Sequence, residues 1–198
     1  MPSTTTALSS AALSFSDVVK KRRSVYSYLD VPVPTAIVED AIAMAVLAPN
    51  HYRTRPWRFF VFVGAGRARL AAAYKAAALR LGRDVPKATQ RVYDAPVMVA
   101  IACIPTTSNP RVVRSEEEFA TAAAAHTFML ALTSAGVDSL LTTGDLAQSE
   151  EVRELVRMEG SDGKLMGVIN VGYRDPERPL MARPAPDPTM ATTWYTSE

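Results

Sequence analysis

The sequence predicts an α+β protein with one sheet covered by helices, and three observations point there. Short runs rich in β-branched and aromatic residues, Trp57 to Val63, Val97 to Ile104 and Leu165 to Val171, read as strands. Alanine-rich stretches with apolar faces, one up to about Leu81 and one from about Glu116 to Ala135, read as helices. The two kinds of element alternate without a clean βαβ rhythm, which suits α+β with one sheet covered by helices.

Each element has its own local signal. Ser16 or Asp17 caps a short helix that runs into Lys20, Lys21, Arg22 and Arg23. The Pro-punctuated stretch Val31-Pro32-Val33-Pro34 is extended. Thr35 then reads as an N-cap, Ile37, Ile42, Met44, Ala45 and Val46 give an apolar helical face, and Pro49 ends it. A polar loop, Asn50 to Pro56, leads into the strand at Trp57. Gly64 and Gly66 turn the chain into the first alanine-rich helix, and Asp94-Ala95-Pro96 introduces the strand at Val97. Pro105 to Ser115 is a polar loop and a candidate lid, with Glu116, Glu117 and Glu118 starting the long helix after it. Gly136 suits the C′ position of that helix. Ser139 to Thr142 is a short extended piece, and Ser149 caps a helix with Glu150 and Glu151 in its first turn. Residues 1–15 read as a frayed extension, and 16–198 as one domain with an extended, Pro-rich C-terminal tail.

Bulk composition excludes several classes of function. The formal net charge is +2, from 22 basic and 20 acidic residues, so neither nucleic acid nor a membrane surface is an expected partner. No apolar run approaches the ~20 residues that span a bilayer, and the opening residues lack the basic start and apolar centre of a secretory signal. Cys103 is the single cysteine, which rules out an internal disulfide and suits a reducing, cytoplasmic setting. Only two histidines occur, His51 and His126, and no HExxH, CxxC or EF-hand pattern accompanies them, so no metal is expected. His126 reads as an interior or interface histidine and Cys103 as inert packing. No GxSxG elbow appears either. Chemistry in such a chain is best supplied by a bound cofactor. The Gly64-Ala65-Gly66 turn is no dinucleotide fingerprint, because Arg69 stands where its third glycine belongs.

Three segments carry groups suited to such a cofactor. In Arg22-Arg23-Ser24, two guanidinium groups and a hydroxyl are able to grip a phosphate; the same residues also suit a solvated basic turn. The loop from Ala48 to Trp57 presents His51, Arg53 and Arg55 from between two rigid elements, although Pro56-Trp57 also makes a plain rigid strand entry. Leu141-Thr142-Thr143-Gly144 offers hydroxyls and free backbone N–H groups, or a simple turn.

Taken in order, these motifs resemble the nitroreductase family. Arg22-Arg23-Ser24 is followed about two dozen residues later by Ala48-Pro49, six residues, and Pro56-Trp57-Arg58-Phe59. The likeness continues through the long helix to Gly136, Leu141 to Leu146, the strand from Gly167 to Tyr173, and Arg183-Pro184. It covers about residues 16 to 190, and the short length and His51 are closest to the minimal nitroreductases.

That resemblance implies a mostly antiparallel central sheet flanked by helices, an intertwined homodimer, and FMN as cofactor. By family pattern Arg22, Arg23 and Ser24 hold the FMN phosphate and ribityl chain, and Arg183 joins them. Thr142, Thr143 and Gly144 border the flavin, and His51 and Arg55 approach it from the partner subunit. The implied reaction is ping-pong: NADH or NADPH donates hydride to the flavin, and an electron-poor acceptor such as a nitroaromatic or quinone is then reduced. No side chain is assigned a catalytic role, since the chemistry resides at flavin N5. A storage or sensor protein that holds FMN without turnover is the alternative, and dehalogenation or flavin cleavage a more distant one. The chain departs from family habit at Arg53 and Arg55, where many members have Asn and Gln, and at Leu141, Thr142 and Tyr26, where Trp, Arg and a basic residue are common. Arg55 is a candidate to replace the missing positive charge.

Overall fold

A computed structural model describes residues 13–106 and 108–196. Most of the expected N-terminal extension, and Thr107 of the expected lid loop, therefore lie outside the described residues. Strands β1 (Trp57–Val63), β2 (Val97–Cys103), β3 (Asp138–Thr142) and β4 (Lys164–Gly172) form one sheet in the order β1-β2-β4-β3. Every ladder is antiparallel. The central pair, β2 and β4, is covered on both faces, which is why β2 is buried at every position and reads as a continuous apolar run.

Alternation along the strands builds two cores. Met98, Ala100 and Ala102 of β2 point to one face with Leu165 and Val168 of β4, where Leu70, Tyr74 and Ala77 pack on them. Those three come from α3 (Arg67–Arg80), which is joined by α4 (Val85–Gln90) and α6 (Glu150–Leu155). Val97, Val99 and Ile101 face the other way with Ile169 and Val171, against α2 (Thr35–Ala45) and α5 (Arg114–Ser134). Small residues on the inner face of α5, Ala120, Ala124 and Ala125, let that helix lie close to the sheet and leave room for Phe128 and Leu132, both fully buried.

Gly167 allows the sheet to close. Its φ is +150°, and a Cβ there would collide with the carbonyl oxygen of Thr142 on β3. The register between β2 and β4 slips at the same place, between Ile101 and Ala102, as expected where a glycine marks a bulge.

Helix ends follow the expected chemistry with local shifts. The first helix, α1 (Phe15–Lys21), is capped by Ser14, whose hydroxyl accepts from the Asp17 N–H at 3.2 Å, rather than by Ser16 or Asp17. Thr35 is the first residue of α2 rather than its cap; Pro34 precedes it without a side-chain bond. Ser149 caps α6 as expected, and Gly136 ends α5 at φ +77°. Helix α4 has no counterpart in the sequence reading. It is only six residues long, contains Pro86 at its start, and depends on the Asp84 cap, so it lacks any periodic signal. Nothing from Tyr173 to Thr196 is buried, so the tail runs over the surface with Met181, Met190, Trp194 and Tyr195 exposed. No helix among the described residues is long and apolar enough to cross a membrane.

Candidate functional site

Arg22 stands at the C-cap of α1, where the chain leaves the helix and runs beside β3. Ser24 bridges Ser139 there in parallel fashion, and the Val25 N–H donates to the Ser139 carbonyl at 3.3 Å. The tail returns to the same place. The Arg183 guanidinium donates to the carbonyls of Arg22 and Lys20, and that of Arg23 donates to the carbonyl of Met181. Three guanidinium groups thus gather at one helix end, and among the described residues no carboxylate pairs with any of them. Burial, then the charges of Arg183 and Arg23, press the Arg22 guanidinium below its ordinary pKa. An unneutralised positive cluster of this kind favours an anion, and the forked donors suit a phosphate.

A cavity of about 240 Å³ opens beside this cluster, under the end of β3. Tyr26 lines it and also lines the small groove that contains Ser24 and Met181, the residue whose carbonyl accepts from Arg23. Thr142 and Gly144 line the cavity; the exposed Thr143 does not. The Thr142 hydroxyl is fixed by donating to the Val168 carbonyl at 2.8 Å. Tyr74 lies behind it; burial pushes its phenol well above the usual range, with the Thr142 hydroxyl and the Arg91 charge pulling back. The phenol therefore stays protonated.

Sequence reading missed Arg91. This residue follows α4 and lines the cavity with Tyr26 and Thr142. A basic residue is absent at position 26, and Arg91 brings a cation to the same cavity from a different element. The only available signal was its place shortly before Asp94-Ala95-Pro96, which says nothing about direction without the fold.

His51 and Arg55 do not meet the arginine cluster within one protomer. His51 Nδ1 lies 2.8 Å from Glu116 Oε2 in the first turn of α5, whereas Ser24 pairs with Ser139 just beyond the far end of that helix. Twenty-one residues of α-helix span about 31 Å, so the two groups sit at opposite ends. The loop is exposed and strained: Tyr52, Arg53 and Arg55 have φ of +54°, +55° and +53°. Non-glycine residues rarely hold such angles, and they concentrate at functional sites.

Two minor readings change. His126 is exposed in the protomer, which removes the interior reading. Glu117 does more than start α5: it is 1% exposed and accepts hydrogen bonds from two loops. Its spacing from Ala120, Thr121 and Ala124, on the buried helix face, was the signal that marks it. Cys103 is buried, and burial raises its thiol pKa, as inert packing requires. No group of three or more metal-ligating side chains occurs among the described residues.

Comparison with known proteins decides the family. The model of the nitroreductase family matches residues 19–173. The chain belongs to the nitroreductase family. The Escherichia coli K12 protein YdjA, whose name carries the words NAD(P)H nitroreductase, is 28% identical over 183 residues, covering 90% of this chain and 98% of its own. The crystal structure of a nitroreductase-like family protein from Bacillus cereus superposes with a TM-score of 0.80 at 24% identity, covering 93% of this chain and 97% of that one. That of a Tyr-to-Ala mutant of NfnB, described as an FMN and NADPH-dependent nitroreductase from a sphigopyxis strain, gives 0.76 at 21% identity, covering 93% and 100%. In this family member the expected α+β architecture, with its antiparallel sheet between helical layers, is present.

Proposed function

We propose that this chain is an FMN-dependent NAD(P)H oxidoreductase that works as a homodimer and reduces electron-poor aromatic or quinone-like acceptors in a ping-pong cycle. The observation that carries the reading is the gathering of Arg22, Arg23 and Arg183 without a carboxylate partner, next to a cavity that contains Thr142, Gly144 and Arg91. The names of YdjA and of NfnB supply the donor and the cofactor to be tested.

The residues present fit FMN. Arg22, Arg23 and Arg183 offer forked donors to the phosphate, and Ser24 a hydroxyl to the ribityl chain. Thr142 and Gly144, which line the cavity, border the ring; the exposed Thr143 does not line it. Bound FMN supplies the hydride and electron transfer, which is why no acid–base pair is needed in the protein. Arg91 places positive charge in the cavity, where negative charge on a reduced ring is favoured. The protein then contributes orientation and electrostatics rather than a reacting side chain.

The homodimer rests on the placement of the loop and on exposed apolar surface. His51 and Arg55 reach an FMN site only as residues of a second subunit, since in one protomer α5 separates them from Arg22. Leu47 and Phe119, each 73% exposed on the α2 and α5 side, and Phe15 on α1 need a covering surface. Trp194 and Tyr195 of the tail need one too. A cytoplasmic location is part of the same reading, on the single buried cysteine.

Anaerobic mixing of the FMN-loaded protein with NADH or NADPH is the test. Bleaching of the flavin band, reversed by menadione or nitrofurazone, is the expected result. Tight FMN binding with no bleaching by either nucleotide would leave a storage or sensor role instead.

A further inference from the structure

Glu117 is the most deeply buried acidic side chain described, at 1% exposure, and no cation pairs with it among the described residues. Burying a carboxyl group is costly unless hydrogen bonds compensate. Two do. Oε1 accepts from the Thr54 hydroxyl, and Oε2 accepts from the Thr106 N–H at 3.2 Å, where the chain has just left β2. The next carboxyl group along, Glu116, engages His51, and Asn50 Nδ2 donates to Thr54 Oγ1 at 2.8 Å and to the His51 carbonyl at 3.1 Å. These contacts bracket the strained residues: Tyr52 and Arg53 lie between His51 and Thr54, and Arg55 follows Thr54 directly. Three left-handed non-glycine residues within four positions persist only where surrounding contacts over-determine the backbone.

We propose that Glu117 is the positioning residue of the 50–56 loop: its buried carboxyl group clamps Thr54 and so sets how His51 and Arg55 project toward the partner subunit's FMN. This rests on the proposed cofactor reading. Glu117 touches neither cofactor nor substrate; it acts through Thr54. The Thr54 hydroxyl is the link, so a side chain of the same shape without it breaks the clamp and leaves the packing.

The experiment uses the full-length protein in three variants, Thr54→Val, Thr54→Ser and Glu117→Gln, with two readouts. One is the FMN dissociation constant from flavin fluorescence. The other is the rate at which trypsin cuts the Arg53–Thr54 bond in the absence of FMN, followed by mass spectrometry. The proposal expects Thr54→Val and Glu117→Gln to weaken FMN binding by about tenfold or more, as a buried acceptor loses its partner and the loop loses its anchor. Both are also cut faster at Arg53, while Thr54→Ser matches the wild type in both readouts. A purely structural role would lower the unfolding temperature without changing either readout well below it. Thr54→Val with wild-type FMN affinity, or with an unchanged cutting rate, overturns the proposal even if Glu117→Gln fails to fold. A wild-type protein that binds no FMN defeats the cofactor reading instead, and the cutting rate then decides the clamp alone.

Discussion

The guanidinium of Arg183 donates to the main-chain carbonyl of Arg22, 161 residues earlier in the chain. A solvated basic turn has no reason to recruit a third arginine from the tail, and burial together with the added charge lowers the Arg22 pKa. Replacing Arg22 or Arg183 by Ala is therefore expected to weaken FMN binding by about 1.5–3 kcal/mol, the value of a charge-assisted contact. Fluorescence titration of each variant measures it. Unchanged affinity in both would remove the phosphate site.

Arg91 is expected to tune the cofactor rather than to hold it. Removing its charge as Arg91→Gln takes away stabilisation of an anionic reduced ring. A drop of about 30 mV in the two-electron potential corresponds to about 1.4 kcal/mol. Spectroelectrochemical titration of the two proteins checks this; equal potentials would mean that the Arg91 charge does not reach the ring.

Much of this arrangement was legible in the sequence, and the parts that were not share a physical cause. The strands at Val97 and Lys164 announce themselves through long apolar runs, because they are covered on both faces, and the edge strand at Trp57 through its aromatic and β-branched residues, although part of it is exposed. Arg22, Ser24 and Arg183 were legible only as separate fragments, since nothing local records that a tail folds back onto the first helix. Arg91 escaped notice because it follows a helix of six residues held by a cap and not by periodicity. Glu117 was hidden by its neighbours: three consecutive glutamates look like a solvated helix start, and only one of them turns inward.

Gly167 is expected to tolerate no side chain. Gly167→Ala places a methyl group against the Thr142 carbonyl at a φ of +150° that other residues avoid. The predicted loss is about 2–4 kcal/mol, through backbone strain and displacement of β3 from β4. Urea unfolding measures it, and a loss below about 0.5 kcal/mol, the range of harmless surface changes, would contradict the close approach of the strands.

Ser139 carries the opposite expectation. Its hydroxyl is buried and has no hydrogen-bond partner among the described residues. Ser139→Ala removes an uncompensated polar atom, so stability rises by up to about 1 kcal/mol. A clear loss in the same unfolding experiment would show that the hydroxyl is used.

Acid sensitivity should trace in part to Arg80 and Glu151, which tie α3 to α6 through contacts of 2.7 and 3.0 Å. The Arg80 hydrogen bond pulls the Glu151 carboxyl down to about 2 from its ordinary 4.5. A depressed folded-state pKa gives stability that is complete above the unfolded value and is lost as pH falls from about 4.5 toward 2. The pair lies at the surface, where solvent screens it, so its contribution is small. Glu151→Gln should flatten the stability profile in that window and leave it unchanged near neutral pH apart from a constant offset; an identical slope in both proteins would rule the pair out.

Equilibrium titration of the apoprotein with FMN, followed by flavin fluorescence and by sedimentation of the complex, tests the central claim most directly. The account predicts quenching that saturates at one FMN per chain, carried by a species of two chains. A protein that leaves flavin fluorescence unchanged, or binds FMN as a single chain, would contradict it.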